Sequence, residues 1–154
     1  MLTNATVLHD SIFLCEIIRS CGFFRSKGRN IIASSARICE VYGGNVPDTM
    51  EDLLSLAGVG RKTANLILGD VYGKPGLVID THAIRLSNRI GLVNESDPVK
   101  IEFALARIVP PDYQTRFCHQ LVYHGRAVCT AAKPACHECP IAHLCKKKIA
   151  KKRK

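Results

Sequence analysis

The chain has 154 residues, 47% of them hydrophobic, with 22 Lys and Arg against 13 Asp and Glu for a formal charge of +9. The apolar fraction supports a folded core rather than a disordered chain. No apolar run reaches the roughly 18 residues of a membrane span, and the sequence start lacks a secretory pattern, which points to a cytoplasmic or nuclear setting.

Leu8 to Cys21 predicts a helix, with Ile12, Phe13, Ile17 and Ile18 recurring on one side and Gly22 able to end it. Ser26 is placed to cap a second helix, on which Ile31, Ser35, Ile38 and Tyr42 share a face before Gly43-Gly44 stops it. Arg25, Lys27 and Arg29 at its start suit either phosphate or plain solvent. Thr49 and Asp52 have capping-box spacing ahead of Leu53, Leu54 and Leu56. That helix is too short to be stable alone and needs its neighbour.

The neighbour follows a tight turn, Gly58-Val59-Gly60, and opens with Arg61-Lys62-Thr63. Glycine permits backbone angles and close approaches that side chains resist. Residues 53–68 thus form a helix–hairpin–helix pattern. Its N–H groups at the turn and the new helix start can grip one phosphate without reading a base. Lys62 falls in the first turn, where the positive helix end disfavours an ammonium and partial burial would act the same way. Its neutral amine can then attack an electrophilic sugar carbon, although a phosphate-contacting lysine is the simpler role. Asp80 or Thr81 can cap a helix from His82 to Ile90 that Gly91 ends. A chemical role for Asp80 requires it to face the same cleft as Lys62.

Asp97-Pro98 is a helix start, and Val99, Phe103, Ala106 and Ile108 suggest a helix ending before Pro110-Pro111. Tyr113, Phe117, Leu121 and His124 line a face of the next. Cys15, Cys21, Cys39 and Cys118 are scattered and read as small buried residues. Cys129-x6-Cys136-x2-Cys139-x5-Cys145 is different. Four thiolates can hold zinc tetrahedrally or complete a [4Fe–4S] cluster, and spacing excludes neither. A cluster there need not transfer electrons; it could fold a loop whose Lys133, Arg126 and nearby tail meet DNA phosphates. Residues 146–154 carry seven Lys or Arg and no acid, leaving 15 basic against 13 acidic residues elsewhere. An anionic partner is therefore implied mainly through this tail.

Together, Leu56-Ala57-Gly58-Val59-Gly60-Arg61-Lys62-Thr63-Ala64-Asn65, Val78-Ile79-Asp80-Thr81-His82 and the four-cysteine block resemble the endonuclease III family of DNA base-excision-repair enzymes, over about Gly22 to Cys145. The resemblance implies an all-α fold with a helix–hairpin–helix lobe and a C-terminal iron–sulfur loop. The regions would be 8–109, containing the motif at 53–68, then 110–145 and a basic tail at 146–154. It implies a [4Fe–4S] cluster rather than zinc on Cys129, Cys136, Cys139 and Cys145. It implies DNA contacts from Gly58, Val59, Gly60, Arg61, Thr63, Arg126 and Lys133, with Lys62 as nucleophile and Asp80 as catalytic acid. The lysine favours a bifunctional glycosylase and abasic-site lyase over a relative that uses water. Damaged or abasic double-stranded DNA would be the substrate, oxidised pyrimidines the expected lesions, and a monomer in the cytoplasm, nucleoid or nucleus the expected form.

The sequence departs from the family in two places. Members have a longer N-terminal region, including a Gln-containing loop that fills the gap left by an extruded base; residues 1–21 are too short to replace it. An incomplete N-terminal helical region is expected, with a noncatalytic DNA-binding protein as the rival reading. Ala57 stands where the family often has Pro, which slightly loosens the turn.

Overall fold

The computed structural model describes residues 13–147. The beginning of the helix predicted from Leu8 and residues 148–154 of the basic tail lie outside the described residues. Every regular element among those described is helical, as the sequence predicts. The chain divides into two compact units, Met1–Ala64 and Asn65–Lys154.

In the first unit, residues 13–17 are helical and α1 spans Phe24–Tyr42. Ser26 does not cap α1. The helix begins earlier, after Phe23 turns the chain at φ 59°, and no side chain caps it. Its end follows the Gly-Gly expectation: Gly43 and Gly44 adopt φ 60° and 86°, and their N–H groups donate to the Ile38 carbonyl. Gly28 is the buried residue of α1. It packs so closely on Cys15 that a Cβ would come within 2.6 Å of the sulfur.

α2 (Met50–Leu54) is capped by Thr49, whose hydroxyl oxygen accepts from Asp52 N–H at 3.2 Å and whose O–H donates to Asp52 Oδ2 at 2.7 Å. Tyr42 O–H donates to Asp52 Oδ1 at 3.1 Å, and Arg37 Nε donates to Ser55 Oγ at 3.0 Å. These bonds dock α2 on the C-terminal half of α1. They compensate for a helix of only five residues, which could not persist alone. Leu53 and Leu56 are buried, each adding about 1.5–3 kcal/mol of apolar burial.

α3 (Arg61–Asp70) runs across the division between units. In the second unit it is followed by an extended approach and α4 (Thr81–Ile90), α5 (Pro98–Ala106), a 3-10 turn at Pro111–Tyr113 and α6 (Gln114–Ala127). Leu77, Ile79, Ala83, Leu86, Ile101, Leu105, Cys118 and Leu121 belong to one core cluster. α4 and α6 meet closely: a Cβ on Gly125 would lie 2.5 Å from His82 Nδ1. Asp97 caps α5 as predicted, accepting from Lys100 N–H at 2.9 Å.

The residues that suggested α5 are not its buried face. Val99, Phe103 and Ile108 are exposed, whereas Ile101, Leu105 and Val109 are buried. Both sets recur near helical spacing, so periodicity alone could not choose between them. The scattered cysteines also divide. Cys118 is buried as expected and Cys15 partly so, but Cys21 and Cys39 are exposed, in a turn and on the outer side of α1.

Candidate functional site

The hairpin between α2 and α3 has two glycines with different physical duties. Gly58 has φ 77°, and a Cβ there would approach Asn30 Nδ2 to 2.6 Å. The fold itself requires this glycine. Gly60 has no positive φ, is exposed, and a Cβ there would meet nothing within 4 Å. Nothing among the described residues demands a glycine at 60, which leaves its backbone open to close approach from outside.

Val59 N–H is used within the turn, donating to Leu56 O at 3.1 Å. The next turn is entered when Ala64 N–H donates to Gly60 O at 2.9 Å. The N–H groups before it lie in the first turn of α3, where a helix has no carbonyl of its own to offer them. The electropositive helix start therefore faces the Gly60 side of the hairpin. Lys62 and Thr63 are exposed and Arg61 is half-buried.

Asp80 resolves the choice between two candidate caps. Its Oδ1 accepts from Ala83 N–H at 2.8 Å, making it the N-cap of α4. The carboxylate is half-buried and its orientation is fixed by the helix it starts. Beneath this segment the Cys118 thiol is pushed up to about 11 by burial, with the negative charges of Asp80 and Asp70 acting in the same direction and a Val78 backbone hydrogen bond opposing them. Lys62 belongs to the first unit and Asp80 to the second.

The four clustered cysteines converge on one hollow. Cys129, Cys136, Cys139 and Cys145 all line it, with Ile90 and Ile141 contributing to an almost wholly apolar wall. Among the described residues, no three His, Cys, Asp or Glu side chains are drawn together as ligands of a single ion. The sulfurs receive polar support. Lys147 N–H donates to Cys145 Sγ at 3.3 Å, Arg89 Nη1 donates to Cys129 Sγ at 3.5 Å, and His124 Nε2 lies 3.5 Å from Cys139 Sγ. Four soft donors around an apolar hollow, with N–H groups aimed at sulfur, fit an iron–sulfur group. His137 instead pairs with Glu138 at 3.1 Å on the exposed side.

Arg126 is exposed in the last turn of α6, and Lys133 is exposed in a turn closed by Thr130 O–H donating to the Lys133 carbonyl at 2.7 Å. Sequence reasoning missed Arg85 and Arg89. Arg85 Nη2 donates to the carbonyls of Gly125 and Cys129, at 3.1 and 3.2 Å. Arg89 reaches three acceptors in the cysteine loop. Their i, i+4 spacing was the available signal, because it places both guanidinium groups on one side of α4.

Residues 9–111 match the family described as HhH-GPD superfamily base excision DNA repair protein, and residues 129–145 match the iron–sulfur binding domain of endonuclease III. The chain is 47% identical over 144 residues to the endonuclease III of Synechocystis sp., covering 92% of this chain and 65% of that protein. It is 42% identical over 135 residues to the Haemophilus influenzae endonuclease III, covering 88% and 64%. It thus spans slightly less than two thirds of these relatives. A solved structure of a trapped endonuclease III–DNA covalent intermediate, in an estranged-adenine complex, is similar with a TM-score of 0.85 and 35% identity, covering 92% of this chain and 67% of that one. A thermostable thymine-DNA glycosylase shares the fold with a TM-score of 0.79 at 23% identity, covering 93% and 68%.

Proposed function

Because the chain belongs to the endonuclease III family of the HhH-GPD superfamily, we propose that it acts on damaged and abasic double-stranded DNA as a bifunctional glycosylase and abasic-site lyase. The observation that carries this reading is the hairpin corner. An open Gly60 and the electropositive start of α3 lie immediately beside an exposed Lys62. A phosphate held at that corner would bring a deoxyribose within reach of the lysine.

In this reading, Gly58, Val59, Gly60, Arg61 and Thr63 form the phosphate-holding turn. Arg126 and Lys133 contact the backbone elsewhere. The damaged nucleotide leaves the stack before its sugar is attacked. The neutral Lys62 Nζ forms a bond to C1′ as the bond from C1′ to the base breaks, and the base leaves with the electron pair and takes up a proton. The attached nitrogen loses a proton, and its lone pair forms the C1′–N double bond as the C1′–O4′ bond breaks and O4′ takes up a proton, giving a protonated Schiff base on the opened sugar. Removal of a C2′ proton then expels the 3′ phosphate by β-elimination. Asp80 stabilises positive charge on the sugar or assists proton transfer. Oxidised pyrimidines are the proposed lesions.

Cys129, Cys136, Cys139 and Cys145 hold a [4Fe–4S] cluster in this proposal. A single zinc would draw all four sulfurs to about 2.3 Å from one point, whereas a cluster distributes them over four iron corners. The four cysteines lining one hollow and the match of residues 129–145 to the iron–sulfur binding domain of endonuclease III support the second arrangement. When bound, the cluster supplies structural order to the loop carrying Lys133.

Borohydride trapping on abasic-site DNA tests the lyase assignment. A covalent protein–DNA adduct that disappears in Lys62→Ala, but survives Lys100→Ala, is expected. DNA binding with neither trapping nor base release would overturn the enzymatic reading.

A further inference from the structure

One side chain joins α4 to the cysteine loop at three points. Arg89 Nη1 donates to Thr130 O at 2.7 Å and to Cys129 Sγ at 3.5 Å, while Nη2 donates to Ala131 O at 2.8 Å. The backbone of the same helix end meets the other end of the loop. The Cys145 sulfur lies 3.5 Å from the Arg89 carbonyl oxygen, and Lys146 N–H donates to the Ile90 carbonyl at 3.0 Å. The first and last cysteines of the block are thus both referred to one turn of α4.

The chemistry of this arrangement follows from the guanidinium. It remains charged at all ordinary pH values, and its planar fork can satisfy several acceptors at once. Two of its bonds fix the backbone just after Cys129. The third directs an N–H toward the sulfur, where it stabilises negative charge on a thiolate. Arg85 differs in kind: it holds the Cys129 carbonyl but makes no bond to a sulfur.

Resting on the cofactor reading above, we propose that Arg89 is a positioning residue for the iron–sulfur cluster, fixing Cys129 in the loop and stabilising the charge on its sulfur. Two consequences follow. The cluster is held against chelation by a residue that is not a ligand. Its reduction potential is also raised, because an N–H donor and a positive charge favour the more negative reduced state.

The test uses the full chain, wild type against Arg89→Ala and Arg89→Lys, purified without oxygen. Iron and sulfide per chain, the rate at which visible absorption is lost to excess chelator, and the reduction midpoint are measured, with helicity followed by circular dichroism. Arg89→Ala is expected to lose its cluster about 10–100-fold faster, the usual penalty for removing an outer partner of a metal ligand, and to have a more negative midpoint. Arg89→Lys should be intermediate in loss rate, since an ammonium keeps the charge but cannot span three acceptors. Should Arg89→Ala fail to fold, a wild-type loss rate and midpoint in Arg89→Lys overturn the proposal. Wild type loaded with iron and sulfide, with both variants matching it, overturns the role of Arg89 alone. Wild type that takes up neither iron nor sulfide overturns the cofactor reading and this inference with it.

Discussion

The Asn30 carboxamide occupies the space where a side chain at residue 58 would begin, 2.6 Å from the position of a Cβ on Gly58. The hairpin is thereby built against α1 at a point that excludes everything but hydrogen. At Gly60, two residues later, a Cβ would meet nothing within 4 Å among the described residues.

The two glycines should therefore fail differently. Gly58→Ala forces a side chain into a φ of 77° and against Asn30, and is expected to cost about 1–3 kcal/mol of stability. Gly60→Ala should leave the denaturation midpoint nearly unchanged and weaken binding to abasic-site DNA. Urea unfolding and a binding titration on both variants would separate them. Equal loss of stability in both would contradict the division of roles.

The chemical role proposed for Asp80 can be pulled apart from its capping bond to Ala83. Asn caps a helix as well as Asp does, whereas Ala removes the cap at a cost of about 1 kcal/mol. Asp80→Asn should keep wild-type stability and lose most base release and strand cleavage; Asp80→Ala should lose both stability and activity. An active Asp80→Asn would confine this carboxylate to its capping bond with Ala83.

Cys118 gives a pH dependence. Its thiol titrates at 9.0 when unperturbed and is pushed up to about 11 by burial in the fold. Below pH 9 both states are protonated and the full stability is present. As pH rises from 9 toward 11, the unfolded thiol ionises first, so the native state is progressively disfavoured by on the order of 2 kcal/mol. Cys118→Ala should flatten this alkaline fall in the unfolding midpoint, although its loss of packing lowers the plateau. An unchanged alkaline limb would assign the fall to other groups.

Alkylation offers a complementary check. Cys21 and Cys39 are exposed, and Cys118 is buried. With the native protein at pH 8, iodoacetamide should label the first two and spare Cys118 until denaturant is added. Peptide mass mapping reads the order directly.

Much of this architecture was legible before any coordinates. Glycine stops at Gly43-Gly44 and Gly91, and caps at Thr49 and Asp97, are local chemistry confined to a few neighbouring residues. Local chemistry also left Asp80 and Thr81 as competing caps, and the 2.8 Å bond to Ala83 decides for Asp80. The errors arose where distant parts of the chain decide. Cys21 and Cys39 read as buried from their apolar neighbours but are exposed, and Ser26 was displaced as a cap by the turn at Phe23. The three bonds of Arg89 span 40 to 42 residues of sequence, a separation that no reading of nearby spacing can close. Lys62 was visible as a residue in a motif, but its exposure was not, because burial depends on the whole fold.

The contact between α4 and α6 has a consequence for inheritance. At Gly125 any side chain would collide with His82 and Arg85, so every codon change that alters this residue strikes folding before it can touch chemistry. Overpacking of about 1–3 kcal/mol is enough to lower the amount of protein a cell retains several-fold. Harmful variants at Gly125 would therefore be recognised by scarcity of the protein, whereas those at Gly60 would leave abundance intact and silence the molecules that remain.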